Sequence, residues 1–542
     1  MLKLAWPDVA VIAAYLVGIV GLGLLAWFRR NRASVASAAA GGREEVSAYF
    51  LAGGTLRWPV IGLALFSTNI STTHLVSLAQ EGYVNGLAYG NFEWMAAFLL
   101  IVLSFFFAPF YIRSRVATLP DFLERRYSRG SRDFLAVLSI LSAIFIHIGF
   151  SLYTGAVVLK GLFGIDINVS IFLTAVATGL YTIAGGLLAV VMTESVQTVI
   201  LIGGAACVVV SGLIQVGGWG GLTASVEPVK MTILRTAAET PSLPWYAVFL
   251  GYPIIGLWYW CADQTIVQRV LGAKDERHAR LGPLFAGFIK ILPVFLFVLP
   301  GVIAAGLVHQ GRIPAIADSA DTYSLLINHL LPVGLKGVVA AALLAALMST
   351  VSGALNSIST LFTLDLYKRW RPVASEKSLT RVGRVVTFLG MLAAILWSPL
   401  VSHFQSIFQG IVALICYVAP PITAVFVWGV FWRRASAAGS LAALSIGSAL
   451  GFAVFLLDWF KDKTGWAIPA MMATFYLFLI CSAILVGVSL LRPHRHTPES
   501  EALVWKSPLA ALRCRIGGRG LDYRIVAAVL FAAMIVLYVL FA

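Results

Sequence analysis

Apolar runs of 17 to 31 residues alternate with shorter polar connections along the whole chain. They fall at 9–28, 59–81, 93–112, 134–163, 168–184, 188–216, 245–262, 283–307, 334–364, 385–401, 406–430, 437–458, 466–491 and 525–541. A helix crosses a bilayer with about 17–25 mostly apolar residues, so the pattern predicts fourteen spanning helices. Arg29, Arg30 and Arg32 follow the first run instead of preceding it, which predicts an uncleaved helix with its N-terminus outside.

Two runs are interrupted. In 59–81, good membrane helix through Phe66 gives way to Ser67-Thr68-Asn69-Ile70-Ser71-Thr72-Thr73-His74. Such side chains compete for backbone hydrogen bonds and weaken a helix. A break at membrane depth is tolerated only where it lines a cavity, and its freed carbonyls can hold a cation. In 245–262, Gly251, Pro253 and Gly256 precede Leu257-Trp258-Tyr259-Trp260. The interrupted runs are the second and seventh, an odd separation, so they run in opposite senses, the mark of a five-helix inverted repeat.

Composition agrees with lipid as the solvent. Of 542 residues, 60% are hydrophobic and 12% charged, against about 25% charged in a soluble domain. This excludes a soluble enzyme, a disordered chain and a collagen, and the run lengths argue against an outer-membrane barrel. The net charge of +15 is topological. Of the 39 Lys and Arg, 30 lie in the loops 29–57, 113–132, 269–280, 368–384, 433–434 and 492–524, and six lie in the alternate set. The positive-inside rule makes the first set cytoplasmic and puts both termini outside, in a plasma (inner) membrane, without invoking nucleic acid. The five cysteines form no CxxC pair, so neither a disulfide framework nor a zinc site is expected.

Ionisable residues within spans are costly and mark candidate sites. Lys290 sits well inside 283–307 and reads as a solute-site residue or as a buried, paired or snorkelling lysine. Glu93 opens 93–112, and Glu194 lies near an expected turn at Gly185-Gly186. Ala346, Ser349 and Thr350 share one helical face, where two hydroxyls suit a hard cation or close helix packing.

These segments, in this order, resemble the sodium/solute symporter family and its sodium/sugar cotransporter branch. The matching text includes Tyr49-Phe50-Leu51-Ala52-Gly53-Gly54, the Ser67–His74 run, Gly90-Asn91-Phe92-Glu93-Trp94-Met95, Thr118 to Tyr127, Trp258-Tyr259-Trp260-Cys261-Ala262-Asp263-Gln264, Gln268-Arg269 and Ala346-Leu347-Met348-Ser349-Thr350. The resemblance implies an all-α integral membrane protein of LeuT-type five-plus-five inverted-repeat fold. Residues 1–58 would form a first extra helix and loop, 59–216 the first repeat, 217–244 an outside loop, 245–430 the second repeat, and 431–542 three further helices with a basic loop.

It further implies a sodium-coupled symporter, not an enzyme, with Na+ as coupling ion and no organic cofactor. The implied sodium ligands are carbonyls of Ser67, Ile70 and Ala346 and hydroxyls of Ser349 and Thr350. A second sodium site would involve Glu194 and Ser352. There Glu194 replaces the usual aspartate and Gly353 a hydroxyl, which favours one sodium per solute. The implied solute residues are Asn69, His74, Glu93, Tyr259, Trp260 and Lys290, with gates at Leu78, Phe92, Tyr259 and Phe408. Val412, Gly256 and Ala96 depart from polar residues of sugar-carrying relatives. The expected partner is a small polar solute, a sugar or polyol first, with a sugar acid, monocarboxylate, amino acid or proton-coupled carrier as alternatives.

Overall fold

The computed structural model describes residues 5–39, 45–403, 407–493, 496–514 and 521–542. Among them the protein is all-helical, with a single isolated bridge, Leu56 to Ala273, and no strand. Eleven helical stretches are long and apolar enough to cross a membrane. The sequence predicts fourteen, and three of those do not stand alone. The two interrupted runs are too short as continuous helices. The runs 168–184 and 188–216 are joined in one 50-residue stretch, Ile167–Val216, folded back at Gly186.

Gly186 has φ 63° and ψ −159°, a conformation open essentially to glycine alone. A Cβ there would also meet the Tyr49 carbonyl oxygen at 2.5 Å. Gly186→Ala is therefore expected to lower the apparent melting temperature in detergent by about 5 °C. An unchanged melting curve would show that the turn tolerates a side chain.

The helices used below are numbered in chain order: α1 Trp6–Ala39, α2 Trp58–Asn69, α3 Thr72–Asn85, α4 Asn91–Val102, α5 Arg129–Ser142, α6 Phe150–Phe163, α7 Ile167–Val216, α8 Trp245–Leu257, α9 Gln264–Leu271, α10 Glu276–Ile289, α11 Leu299–His309, α12 Leu335–Leu361, α13 Ile407–Phe431, α14 Ala437–Trp459, α15 Ala470–Leu491 and α16 Tyr523–Leu540. Their polar starts follow from capping. Asp166, Asp275 and Asp522 each accept a hydrogen bond of 2.8–2.9 Å from a first-turn amide of α7, α10 and α16. Burial sorts them into core and rim. α12 is almost wholly buried, whereas α1, α14, α15 and α16 expose apolar side chains such as Val17, Phe452, Leu479 and Val539. A face of that kind is stable only against lipid. The buried Asp8 of α1 holds the start of α12, accepting from the Gly334 and Gly337 amides at 2.8 Å.

The break in the first interrupted run lies where the polar cluster predicts it. α2 ends at Asn69, Ile70 and Ser71 are extended, and α3 begins at Thr72. The second break is displaced from its expected place. α8 continues through Gly251, Pro253 and Gly256, and the chain opens at a π turn, Trp258–Ala262, followed by extended Asp263. Gly251 instead gives close approach to the Met471 backbone of α15. The Ile254 carbonyl next to Pro253 is satisfied by the Thr423 hydroxyl at 2.8 Å. A third break, unforeseen, ends α10 at Lys290 in a turn before Pro293.

Three of the basic residues assigned to cytoplasmic loops are buried. Arg126 donates to the carbonyls of Gly429 (2.7 Å) and Trp432 (2.9 Å) and so caps the end of α13. Arg280 pairs with Glu276, and Arg269 lies deep in the core.

Candidate functional site

The residues expected to hold sodium cluster where α12 crosses the end of α2. The Ser349 hydroxyl lies 2.8 Å from the Ser67 carbonyl and 3.0 Å from that of Ala346. The Thr350 hydroxyl lies 3.2 Å from the carbonyls of Thr68 and Ala346. Neutral oxygens converge here from two helices, and the buried Ser67 hydroxyl has no hydrogen-bond partner among the described residues. That orphaned oxygen and the all-oxygen donor set fit a hard monovalent cation. Four of the five expected sodium residues meet in this cluster. Ile70 stands at the break, its amide bonded to the Phe66 carbonyl at 3.0 Å. The Thr68 carbonyl is an addition that residue type alone could not reveal.

A cavity of ≈ 140 Å³ opens beside this cluster, and Thr350 lines it. Its polar lining includes Asn69, Ser71, Thr73, His74, Glu93, His147, Ser151 and Tyr259. One hydrogen-bonded chain joins four of the six expected solute residues. Tyr259 accepts from the Asn69 amide at 3.1 Å, and Lys290 donates to Asn69 Oδ1 at 2.5 Å and to Glu93. Glu93 in turn faces His74 Nε2 at 3.9 Å. The Ser71 amide donates to His74 Nδ1 at 3.2 Å, which leaves Nε2 as the protonated nitrogen. Trp260 packs against Tyr259, with the Lys290 ammonium 5.5 Å from its ring centroid.

Lys290 is placed differently from the other expected solute residues. It does not line the cavity; it stands behind Asn69 and Glu93, holding both. Leu78 and Phe92, expected as gates, do line it, and Tyr252 braces Phe92 by donating to its carbonyl at 2.6 Å. The side chain of Phe408 lies outside the described residues. Gly256 and Val412 line the cavity too, and a Cβ at Gly256 would come within 2.9 Å of Leu99 and 3.0 Å of Tyr252, so a side chain there would require those neighbours to shift.

Glu194, expected as a loop-proximal acid or second-site ligand, is fully buried and already neutralised. It accepts from Arg269 at 2.6 and 3.2 Å and from the Thr68 hydroxyl at 2.8 Å. A Cβ at Gly353 would lie 2.5 Å from the Arg269 guanidinium, so the glycine makes room for that cation. Ser352 turns its hydroxyl to the Ser349 carbonyl at 3.0 Å.

The last helix supports the wall. Tyr538 of α16 donates to Asn91 Oδ1 at 3.0 Å, and Asn91 donates to the Ile233 carbonyl at 2.7 Å, fixing the start of the helix that carries Glu93.

Broken helices around a cavity lined by apolar side chains and a few convergent polar groups define a helical membrane transporter. The sodium:solute symporter family profile matches residues 49–447. The chain is 34% identical to sodium/glucose cotransporter 4 of Danio rerio, covering 83% of this chain and 72% of that protein. It is 36% identical to sodium/myo-inositol cotransporter 2 of Oryctolagus cuniculus (83% and 70% covered) and 34% identical to the sodium/mannose cotransporter of Bos taurus (93% and 89%). Among solved structures, a Na+-coupled sialic acid symporter superposes with a TM-score of 0.77 at 21% identity, covering 91% of this chain and all of that one, a likeness of fold. The chain belongs to the sodium:solute symporter family. It is a sodium-coupled carrier, not an enzyme.

Proposed function

We propose that this symporter imports one neutral sugar or polyol with one sodium ion by alternating access. The carrying observation is Thr350, whose hydroxyl belongs to the cation cluster while its side chain lines the cavity. Sodium held by Ser67, Ile70, Ala346, Ser349 and Thr350 would tie the broken α2–α3 helix to α12 and so complete the cavity wall. Solute then draws Leu78 and Phe92 closed, and loss of sodium inward releases Tyr259. A single cation is favoured because Arg269 already neutralises Glu194.

The charge balance of the cavity supports a neutral solute. Lys290 is committed to Glu93 and His147 is paired with Asp263. Among the described residues no unpaired Lys or Arg lines the cavity to attract a carboxylate. The relatives named for glucose, mannose and myo-inositol point the same way. A volume of ≈ 140 Å³ corresponds to roughly ten water positions, room for one small ring.

The membrane arrangement proposed is fourteen crossings, with five-helix inverted repeats at 59–216 and 245–430, basic loops cytoplasmic and both termini outside. The two breaks at corresponding helices and the charge alternation support it. One charge crossing about 100 mV supplies about 2.3 kcal/mol, and a tenfold sodium gradient about 1.4. Together they permit roughly 400- to 500-fold accumulation.

The test is sodium-dependent thermal stabilisation and proteoliposome uptake with glucose, mannose, myo-inositol, sialic acid, pyruvate and proline. Stabilisation by at least one neutral polyhydroxy solute, lost when choline replaces sodium at fixed pH, is expected. Stabilisation by proline or the acids alone would overturn the sugar assignment, and uptake indifferent to choline would overturn sodium coupling.

A further inference from the structure

A second polar pair, His147 with Asp263, reaches the cavity through His147. His147 lies in the π turn Ala143–Gly149 between α5 and α6, and Asp263 is the extended residue at the second helix break. His147 Nε2 and Asp263 Oδ2 are 2.7 Å apart, with both side chains buried. The other carboxylate oxygen accepts from the Thr265 amide at 2.7 Å at the start of α9. Asp263 is thus fixed by a helix N-terminus and fixes the imidazole in turn. The carboxylate accepts from Nε2, and in the neutral ring so bonded Nδ1 bears the lone pair.

Nδ1 makes no hydrogen bond among the described residues, and the ring lines the cavity together with Ser151, one turn further along the same face. His147 also packs on Tyr259, ring centroids 5.9 Å apart, so Tyr259 touches both this pair and the Asn69–Lys290–Glu93 chain. An imidazole anchored through one nitrogen by a carboxylate, on a residue that lines the cavity and with its other nitrogen unbonded among the described residues, is a pre-oriented acceptor.

We propose that His147 is a solute-contacting residue whose Nδ1 accepts a hydrogen bond from a solute hydroxyl, and that Asp263 is its positioning residue. The pair selects a solute with a donor at that place and gives a carboxylate oxygen nothing to bond. It rests on the cavity being the solute site, as proposed above.

Two substitutions separate this contact from a merely structural latch. Glutamine places its amide near the Nε2 position, keeping the bond to Asp263 and losing the cavity acceptor. Asparagine places its amide near Nδ1, keeping the acceptor and losing the bond. Uptake is measured in proteoliposomes with whichever member of the six-solute panel the wild type carries. Expected for His147→Gln is a rise in solute KM of about tenfold, with sodium-induced thermal stabilisation unchanged. Expected for His147→Asn is a KM within about threefold of wild type. A normal KM for His147→Gln, or impairment of His147→Asn alone, overturns the proposal in favour of a latch. Equal loss in both with a lowered melting temperature also overturns it. If the wild type carries only the acids or proline, the sugar assignment falls, while the comparison at residue 147 is still read on the carried solute.

Discussion

Sodium-driven uptake by the Ser349→Ala/Thr350→Ala double variant is expected to fall at least about 100-fold at fixed sodium. Each hydroxyl faces carbonyls freed at the α2 break and is an oxygen that a bound cation would share. A hydrogen-bond-type contact to a charged group contributes about 1.5–3 kcal/mol, so losing two weakens sodium binding by roughly two orders of magnitude or more. The fold should survive, because each hydroxyl now makes neutral bonds worth only about 1 kcal/mol. The measurement is the sodium dependence of proteoliposome uptake, with sodium-induced thermal stabilisation as a solute-independent check. A double variant with an unshifted sodium curve would remove these residues from the coupling site.

Lys290→Ala should abolish uptake and destabilise the protein. Its ammonium is bonded to Glu93 and Asn69 and is 1% exposed. Removing one partner of a buried pair leaves an uncompensated charge and costs about 3–5 kcal/mol. The neutral double variant Lys290→Met/Glu93→Gln removes both charges and is expected to recover much of the melting temperature. Uptake should nonetheless stay below about 1% of wild type, because Asn69 and residue 93 lose the group that orients them. Counterflow of labelled solute and melting in detergent report the two effects separately. Recovery of uptake with stability would reduce Lys290 to a structural role, and wild-type KM in Lys290→Ala would remove it from the site altogether.

The two helix breaks were not equally legible. The first break was readable because a cluster of hydroxyls and an amide directly challenges helical hydrogen bonding. The second was misplaced because Gly251, Pro253 and Gly256 signal both weak helix and close packing. The structure uses Gly251 for approach to Met471 and lets the helix run on. His147 lies in Ala143-Ile144-Phe145-Ile146-His147-Ile148-Gly149, an imidazole amid apolar side chains, and that signal was available. Its partner Asp263 is 116 residues away, and nothing local in the chain links the two.

The charge count shows the same division. Counting alone put Arg126, Arg269 and Arg280 among loop residues, yet all three are buried. Arg126 caps α13, and Arg269 neutralises Glu194 in the space left by Gly353.

The sequence by itself determined that the chain is a bundle of membrane helices, where the first helix opens, and which oxygen-bearing residues share a face of α12. These follow from periodicity, run length and local competition for backbone hydrogen bonds, all of which act within a few turns. Only the tertiary structure decided that Lys290 stands behind the cavity wall, that Glu194 is already paired, and that Thr350 belongs to both the cation cluster and the cavity. Those facts depend on which helices cross at membrane depth, and a low-dielectric interior makes each such pairing strong without leaving a local mark in the chain.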